Sequence, residues 1–269
     1  MFRGKVVVIT GAGSGIGQAL AVQLGSRGAH LALVDISRTG LAATVANLPS
    51  GCRVMTYPLD VASREAVFGL GDAVKRDFGA AHYLFNNAGT SILASFEHTS
   101  IAEIEKVLAI NLWGVIYGTK AFLPIMLAQR EGCIVNISSV LGLLAAPCHA
   151  AYVMSKFAVR GLTETLWTEL EGTGVRAVVV HPGGINTSIA ENSPVAEHET
   201  ELERHVAAVA RQLLVTSPDR CAKLILSGLA TGKRRLLVGS GARFSYWLAR
   251  LLPTGYVGLM RRHYSMRTR

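Results

Sequence analysis

Short β-branched and apolar runs alternate along the chain with longer stretches of helical periodicity. Residues 5–10, 30–34, 53–57, 82–85, 132–137, 176–180 and 235–238 each read as a strand: every run stops at turn or polar residues, as strands buried on both faces do. Helical patterns fill the gaps. One continues past Gly17 through Leu20 and Leu24, a long one covers 101–127, and another covers 151–170. A further helix opens on Ser217 as N-cap with Pro218 in its first turn and runs to Ala230. Strands alternating with helices throughout predict an α/β fold, a doubly wound parallel sheet of about seven strands with helices on both faces.

The 269 residues, half of them hydrophobic, suit one large domain with a buried sheet. The net charge of +9 raises the question of nucleic acid until it is located: residues 220–269 hold eleven Lys and Arg and no Asp or Glu, so the first 219 carry sixteen basic against eighteen acidic residues. The basicity belongs to the tail, and no recognition motif accompanies it. Cys52, Cys133, Cys148 and Cys221 form no C-x-x-C pair, and the eight histidines lack H-x-x-x-H spacing, which argues against a metal site and for a reducing, cytoplasmic setting. The apolar run after Met1 is too short for a signal peptide.

Chemistry-bearing residues gather where predicted strands end. Gly11-Ala-Gly-Ser-Gly-Ile-Gly17 follows the first strand and precedes a helix. Glycines there let the backbone approach a pyrophosphate, and the helix N-terminus offers free N–H groups and a positive dipole end. The spacing is T-G-x-x-x-G-x-G on Thr10, Gly11, Gly15 and Gly17, with Ile16 where the commoner G-x-G-x-x-G has its last glycine. Asp35 ends the second strand, where a Rossmann-type fold places the carboxylate that holds the adenosine ribose. A carboxylate there repels the extra phosphate of NADP, and neither Ser14 nor Ile36 supplies a cation. NAD is therefore preferred, with Arg38 near enough to leave NADP open. Asp60-Val61 either caps the next helix or meets the adenine. Asn86-Asn87-Ala88-Gly89 after the fourth strand would lie beneath the cofactor. Asn111, a poor helix former inside a helix, reads first as a solvated face residue, its alternative being a backbone held open for a water. Ser138-Ser139 ends the fifth strand, and His181-Pro-Gly-Gly-Ile-Asn-Thr187 follows the sixth.

Tyr152 and Lys156 stack one turn apart on a predicted helix. A phenol titrating near roughly 10 is a poor base at neutral pH. A cation at about 4 Å and an effective dielectric of about 20 stabilises its anion by up to about 4 kcal/mol, so Lys156 is expected to draw the phenol toward neutrality. Y-x-x-x-K alone describes many ordinary helices. Its weight here comes from the motifs that accompany it in one order.

Thr10-Gly11-x-x-x-Gly15-x-Gly17, Asn86 through Gly89, Asn111, Ser139, Tyr152-x-x-x-Lys156 and Pro182-Gly183 through Thr187 together resemble the short-chain dehydrogenase/reductase family, in its compact single-domain subdivision, over roughly residues 4–240. The resemblance implies an NAD(P)-dependent oxidoreductase moving a hydride between nicotinamide and a secondary alcohol or ketone. It also implies roles. Tyr152 is the acid/base, Ser139 holds the substrate oxygen, Lys156 binds the nicotinamide ribose and lowers the tyrosine pKa, and Asn111 keeps a water in the proton relay. Ser139 is preferred to Ser138 because it lies thirteen residues before Tyr152, the family's usual interval. Gly11, Ser14, Gly15, Ile16, Gly17 and Asp35 would hold the dinucleotide with Asp60 and Val61 at the adenine. Asn87, Ala88 and Gly89 would lie along the ribose, and Pro182, Gly183, Ile185 and Thr187 at the nicotinamide. A homodimer or homotetramer through the helices of Asn111 and Tyr152 is implied as well. The rival reading, an NAD-binding scaffold or redox-sensing regulator, needs none of Ser139, Tyr152, Lys156 or Asn111, and all four are present.

The nearly all-apolar stretch 141–148 beside the hydroxyls is expected to line the substrate pocket and to favour a lipophilic alcohol or ketone of steroid, retinoid or fatty type, with His149 a packed or surface residue. Residues 185–215 are too long for a plain connector and read as a lid within a catalytic domain of 1–240. Glu191, Glu197, Glu199, Glu201 and Glu203 read as a solvated helix start. The remainder, 241–269, is a basic amphipathic tail: Phe244, Trp247, Leu248, Leu251 and Leu252 recur at helical spacing with Arg243 and Arg250 expected on the other side, and Pro253 breaks the pattern. Such a face packs on the body or a partner subunit, or attaches peripherally to an anionic membrane.

Overall fold

The five residues of β1 (Val6–Thr10) are all buried, because they form an interior strand of a seven-stranded sheet covered on both sides. The computed structural model describes residues 1–187 and 200–264. The other strands are β2 (His30–Asp35), β3 (Val54–Pro58), β4 (Tyr83–Asn86), β5 (Gly132–Ile137), β6 (Val175–Gly183) and β7 (Arg235–Gly239). They lie in the order β3-β2-β1-β4-β5-β6-β7, and every neighbouring pair is parallel. The order reverses between β1 and β4, so connections leave those two strand ends in opposite directions and open a crevice there.

Period-two alternation divides the core. Val7 and Ile9 point to one face with Leu20 and Leu24 of α1 (Gly15–Gly25) and Ile225 of a helix over Pro218–Ala230. Val6 and Val8 point to the other, with Leu70 of α3 (Arg64–Phe78) and Phe122 and Met126 of α5 (Gly114–Gln129). Helix α2 (Arg38–Ala46) covers the β2–β3 edge, and α4 (Ile101–Leu108) leads into α5 through a π-helical turn, Ala109–Trp113. Residues Ile101–Gln129 are long and apolar enough to cross a bilayer by composition, but Phe122 and Met126 are fully buried against the sheet.

Helix α6 (Ala150–Glu169) lies within one residue of its expected bounds at each end, and the helix from Pro218 stands where its cap placed it, with Ser217 Oγ accepting the Arg220 N–H. Strand β6 runs three residues beyond its expected end because Pro182 and Gly183 pair with Val238 and Gly239 of β7. Asp60 does not cap α3. Ser63 does, accepting the Ala66 N–H, while Asp60 Oδ1 accepts from Ala62 two residues on.

Four more helices complete the described chain: α7 (Glu201–Leu213), α8 (the Pro218–Ala230 helix) and, after β7, α9 (Ala242–Leu251) followed by α10 (Tyr256–Tyr264). Helix α9 differs from expectation in where its arginines lie. Its inner side is held by Tyr246, whose ring lies 5.4 Å from the Arg235 guanidinium, a cation that also faces the Trp167 ring at 5.3 Å. Phe244, Trp247 and Leu251 face solvent, and so do Arg243 and Arg250, which share that side instead of opposing it.

A buried amide chain ties the sheet beneath the crevice. Asn86 Nδ2 donates to Asn136 Oδ1 at 2.8 Å, and Asn136 Nδ2 donates to Thr163 Oγ1 at 2.9 Å, linking β4, β5 and α6. Asn136→Ala strips both bonds, leaving Asn86 only its longer bonds to Thr119 and Val115 and Thr163 its bond to Val159 O. It is expected to lower unfolding free energy by about 2 kcal/mol, read as a reduced urea midpoint at unchanged slope.

Candidate active site

The crevice floor is made of backbone that tolerates no side chains. A Cβ on Gly17 would lie 2.0 Å from the Gly11 carbonyl oxygen, and one on Gly11, where φ is +65°, would lie 2.8 Å from the Ala88 Cα. These contacts make a close-packed cradle at the start of α1, whose N-cap Ser14 gives no side-chain bond to the first turn, so N–H groups there remain for an anionic ligand. Ile16 packs partly buried against the core. Asp35 stands beside the cradle, its Oδ2 accepting from Gly13 N and its Oδ1 from Ser37 N, each at 2.8 Å. Gly13 was not among the expected site residues, yet a Cβ on it would lie 2.9 Å from Asp35 Cγ. The sequence signal was the third position of the same glycine run.

The loop after β4 is fastened to the same place. Thr10 Oγ1 accepts from the backbone of Asn87 and Ala88 at 3.0 and 3.1 Å, and Asn87 Nδ2 donates to Thr10 O and Gly11 O. Thr187 reaches back over the cradle, its Cγ2 being 3.3 Å from where a Gly15 Cβ would stand. Gly183 abuts Ser240, and Ile185, 8 % exposed, bridges to Thr216. Val61 is buried against Gly114. These residues ring one end of the sheet, where Gly11 and Gly17 keep the backbone close-packed and the Asp35 carboxylate stands beside them.

Helix α6 presents Tyr152, Ser155 and Lys156 to three different neighbours. The Ser139 hydroxyl stands beside the Tyr152 phenol and acts to lower its pKa. Its Oγ accepts from Leu141 N at 3.1 Å, which leaves the hydroxyl proton to be donated. Ser138 is differently engaged: its hydroxyl donates to the Lys156 carbonyl at 2.9 Å, buried away from the phenol. Asn111 bonds Thr90 through both amide atoms, Oδ1 from N at 2.8 Å and Nδ2 to O at 2.9 Å, and donates to Ser155 Oγ at 3.1 Å. It is wholly buried, not a solvated face residue, because the π-helical turn aims it into the protein. Gly89 lies between these groups; a Cβ there would meet Asn111 Oδ1 at 3.3 Å and Lys156 Nζ at 3.6 Å.

The electrostatics depart from expectation. Burial pushes the Tyr152 phenol up, the Ser139 hydroxyl opposing it, and the nearby amine does not reverse the direction. Lys156 Nζ lies 5.5 Å from the Tyr152 ring centroid and donates instead to the Ile137 carbonyl at 3.0 Å. Burial lowers its own pKa to about 8. Without cofactor the phenol therefore keeps its proton. His181, unassigned by the sequence, is fully buried and lowered to about 4 by burial, so it is neutral. Its Nδ1–H donates to the Ser139 carbonyl at 2.9 Å, fixing the serine from behind.

Residues 5–198 match the family model described as short chain dehydrogenase. The chain belongs to the short-chain dehydrogenase family. A Mycobacterium tuberculosis protein named as an oxidoreductase, SadH, is 44 % identical over 96 % of this chain and 95 % of its own length. Human estradiol 17-beta-dehydrogenase 11 is 30 % identical over 98 % of this chain and 84 % of its own. Among solved structures, a Burkholderia phymatum short-chain dehydrogenase/reductase in complex with NAD has a TM-score of 0.87 at 33 % identity, covering 94 % of this chain and 95 % of that one. A metagenomic short-chain oxidoreductase in complex with NADP has a TM-score of 0.71 at 28 % identity, covering 88 % and 97 %. The protein is thus a short-chain dehydrogenase, an oxidoreductase with solved relatives in complex with NAD and with NADP.

The 141–148 stretch beside these hydroxyls is apolar. Leu143, Leu144 and Cys148 of the 141–148 stretch are buried, and His149 is half-buried with Nδ1 2.8 Å from the Pro147 carbonyl. Of the expected lid, residues 188–199, with Glu191 and Glu197 and Glu199, lie outside the described residues. Glu201 is exposed at the start of α7, but Glu203 is not solvated. It is 1 % exposed and accepts from Ser95 N and Thr200 N, both at 2.7 Å, from Thr200 Oγ1 at 2.9 Å, and pairs with His98 Nδ1 at 3.2 Å. A capping box seen locally is also the anchor that moors α7 to a loop 108 positions away.

These donors outweigh burial and hold the Glu203 carboxyl down at about 2. A depressed folded pKa stabilises above the unfolded value of about 4.3 and is lost as pH falls toward 2. Wild type should therefore lose melting temperature relative to Glu203→Gln between pH 5 and pH 2.5; parallel curves for the two would contradict the anchor.

Proposed function

We propose that this enzyme interconverts a lipophilic secondary alcohol and its ketone, using NAD in preference to NADP. The observation that carries the reading is the Ser139–Tyr152 hydroxyl pair, backed by Lys156 and set beside the apolar 141–148 wall. The dinucleotide supplies the hydride acceptor or donor at its nicotinamide ring. Gly11, Ser14, Gly15, Ile16 and Gly17 would cradle its pyrophosphate, Asp35 its adenosine ribose, Asp60 and Val61 its adenine. Asn87, Ala88, Gly89 and Lys156 would line its sugar and Pro182, Gly183, Ile185 and Thr187 its nicotinamide end. The Asp35 carboxylate at the ribose supports NAD, since it would repel a 2′-phosphate.

In ketone reduction, Ser139 donates a hydrogen bond to the carbonyl oxygen and Tyr152 gives up its phenolic proton as the carbon receives the hydride. In alcohol oxidation, the Tyr152 phenolate takes the hydroxyl proton as the hydride leaves. Because burial favours the protonated phenol, the ground state is poised for reduction. Lys156 holds positive charge beside the phenol and stabilises the phenolate left behind. Asn111, tied to Thr90 and Ser155, keeps the opened helix in place so that a water can return the proton. A reading as a catalytically silent scaffold leaves this set without a purpose.

A homodimer or homotetramer through α4, α5 and α6 belongs to the same proposal, supported by the exposed Trp113, Met154 and Phe157. A cytoplasmic location is supported by the four free cysteines.

Tyr152→Phe is expected to reduce kcat about a thousandfold while leaving NADH binding, followed by fluorescence titration, intact; wild-type turnover would eliminate the proposed proton donor. A panel of alcohols and ketones read at the reduced-nicotinamide absorbance should favour steroids, retinoids and fatty alcohols over polyols, and should run faster with NAD than with NADP. Preference for small polar polyols would overturn the substrate class.

A further inference from the structure

The C-terminal helices carry an apolar surface that the chain itself leaves open. On α9, Phe244, Trp247 and Leu251 follow one another at i, i+3 and i+7 and are 70 %, 55 % and 71 % exposed. Arg243, Trp247 and Arg250 follow at i, i+4 and i+7, so the two cations flank the indole along the same solvent side. Leu252 after α9, and Val257 and Leu259 of α10, extend the exposed apolar surface, and Arg261 is exposed one turn beyond Val257.

The opposite side of the same unit grips the substrate region. Tyr246 is held by Arg235. Tyr256 Oη accepts the Ala145 N–H at 3.2 Å, and Met260 packs against Cys148 and Val206 of α7. The two helices are therefore fixed between the pocket wall and solvent with their greasy side outward.

Charge selects what covers that side. From Gly241 onward the sequence holds six arginines and no Asp or Glu. Two copies apposed through this face would bring like charges together. An anionic bilayer neutralises the arginines while its interface receives the indole, phenyl and leucine side chains, which suit the headgroup boundary. We propose that α9 and α10 dock the enzyme on an anionic lipid membrane, with Trp247, Phe244 and Leu251 inserted and Arg243, Arg250 and Arg261 on lipid phosphates. Docking follows from the surface alone. Its use, presenting the 141–148 wall to substrate dissolved in the bilayer, rests on the lipophilic-substrate reading.

The test is co-sedimentation of the full chain with vesicles of phosphatidylserine and phosphatidylcholine, or of phosphatidylcholine alone, beside turnover on a water-soluble ketone. Wild type should pellet at least about tenfold more with the anionic vesicles at about 0.05 M salt, and be largely released at about 0.5 M, where screening is within a few ångströms. Trp247→Glu with Leu251→Glu should abolish pelleting at unchanged turnover. The milder Arg243→Gln with Arg250→Gln, which leaves the apolar stripe intact, should reduce it severalfold. The proposal is overturned if wild type stays in the supernatant with both vesicle types, or binds both equally at either salt. It is also overturned if the substitutions change only the sedimentation coefficient of the free protein, which would assign the face to a second copy. Binding without turnover on any lipophilic alcohol would sink the substrate reading and leave docking standing.

Discussion

Lys156 is fastened to the end of β5 through both its side chain and its backbone, and the active site is assembled on that attachment. Its ammonium donates to Ile137 O, and its own carbonyl receives the Ser138 hydroxyl. A charge buried this deeply is unfavourable unless paired or hydrogen-bonded, which is why its pKa falls to about 8. What the arrangement gains is position. With Lys156 pinned, the same helix face brings Tyr152 to Ser139 and Ser155 to Asn111, so the three residues of one helix meet β5 and the π-helical turn in a single register.

The scaffold explains why such a cluster can stand here. β5 lies next to β4 and one strand from the reversal of strand order, so its carboxyl end faces the crevice in which parallel sheets hold ligands. The Asn86–Asn136–Thr163 chain locks β4, β5 and α6 together below that point. Thr10 and Asn87 lock β4 to the glycine cradle above it. The glycine turn and the Ser139, Tyr152 and Lys156 group are thus parts of one hydrogen-bonded frame, and His181 extends it to β6 by holding the Ser139 carbonyl. Helix α7 is moored to the loop after β4 through Glu203.

Local pattern carried most of the fold and the outline of the site. Strand β5 and helix α8 are bounded by strong local signals, a β-branched run and a Ser-Pro cap, and both are found where those signals put them. The glycine run, Asp35, Ser139, Tyr152 and Lys156 were legible because each sits at the end or on one face of a periodic element. The misreadings share one cause, partners remote in sequence. Asn111 looks like a poor helix residue until Thr90 and Ser155, 21 and 44 positions away, take its amide. Glu203 looks like a solvated helix start until Ser95 and His98 close on it. In α9 the periodicity was correct, but which side faced water depended on Tyr246 meeting Arg235. The Tyr152 phenol was expected to be acidified by spacing to Lys156, a quantity that spacing cannot supply when the amine turns to Ile137 instead.

The central proposal is that burial holds the Tyr152 phenol protonated and that Lys156 stabilises its phenolate once the dinucleotide is bound. The most direct measurement is the titration of the Tyr152 Cζ resonance in ¹³C-tyrosine-labelled protein, free and saturated with oxidised nicotinamide dinucleotide. The account predicts a phenol above the usual tyrosine value in the free enzyme that falls on saturation, with the fall lost in Lys156→Met. An identical titration in both states of the wild type would contradict it.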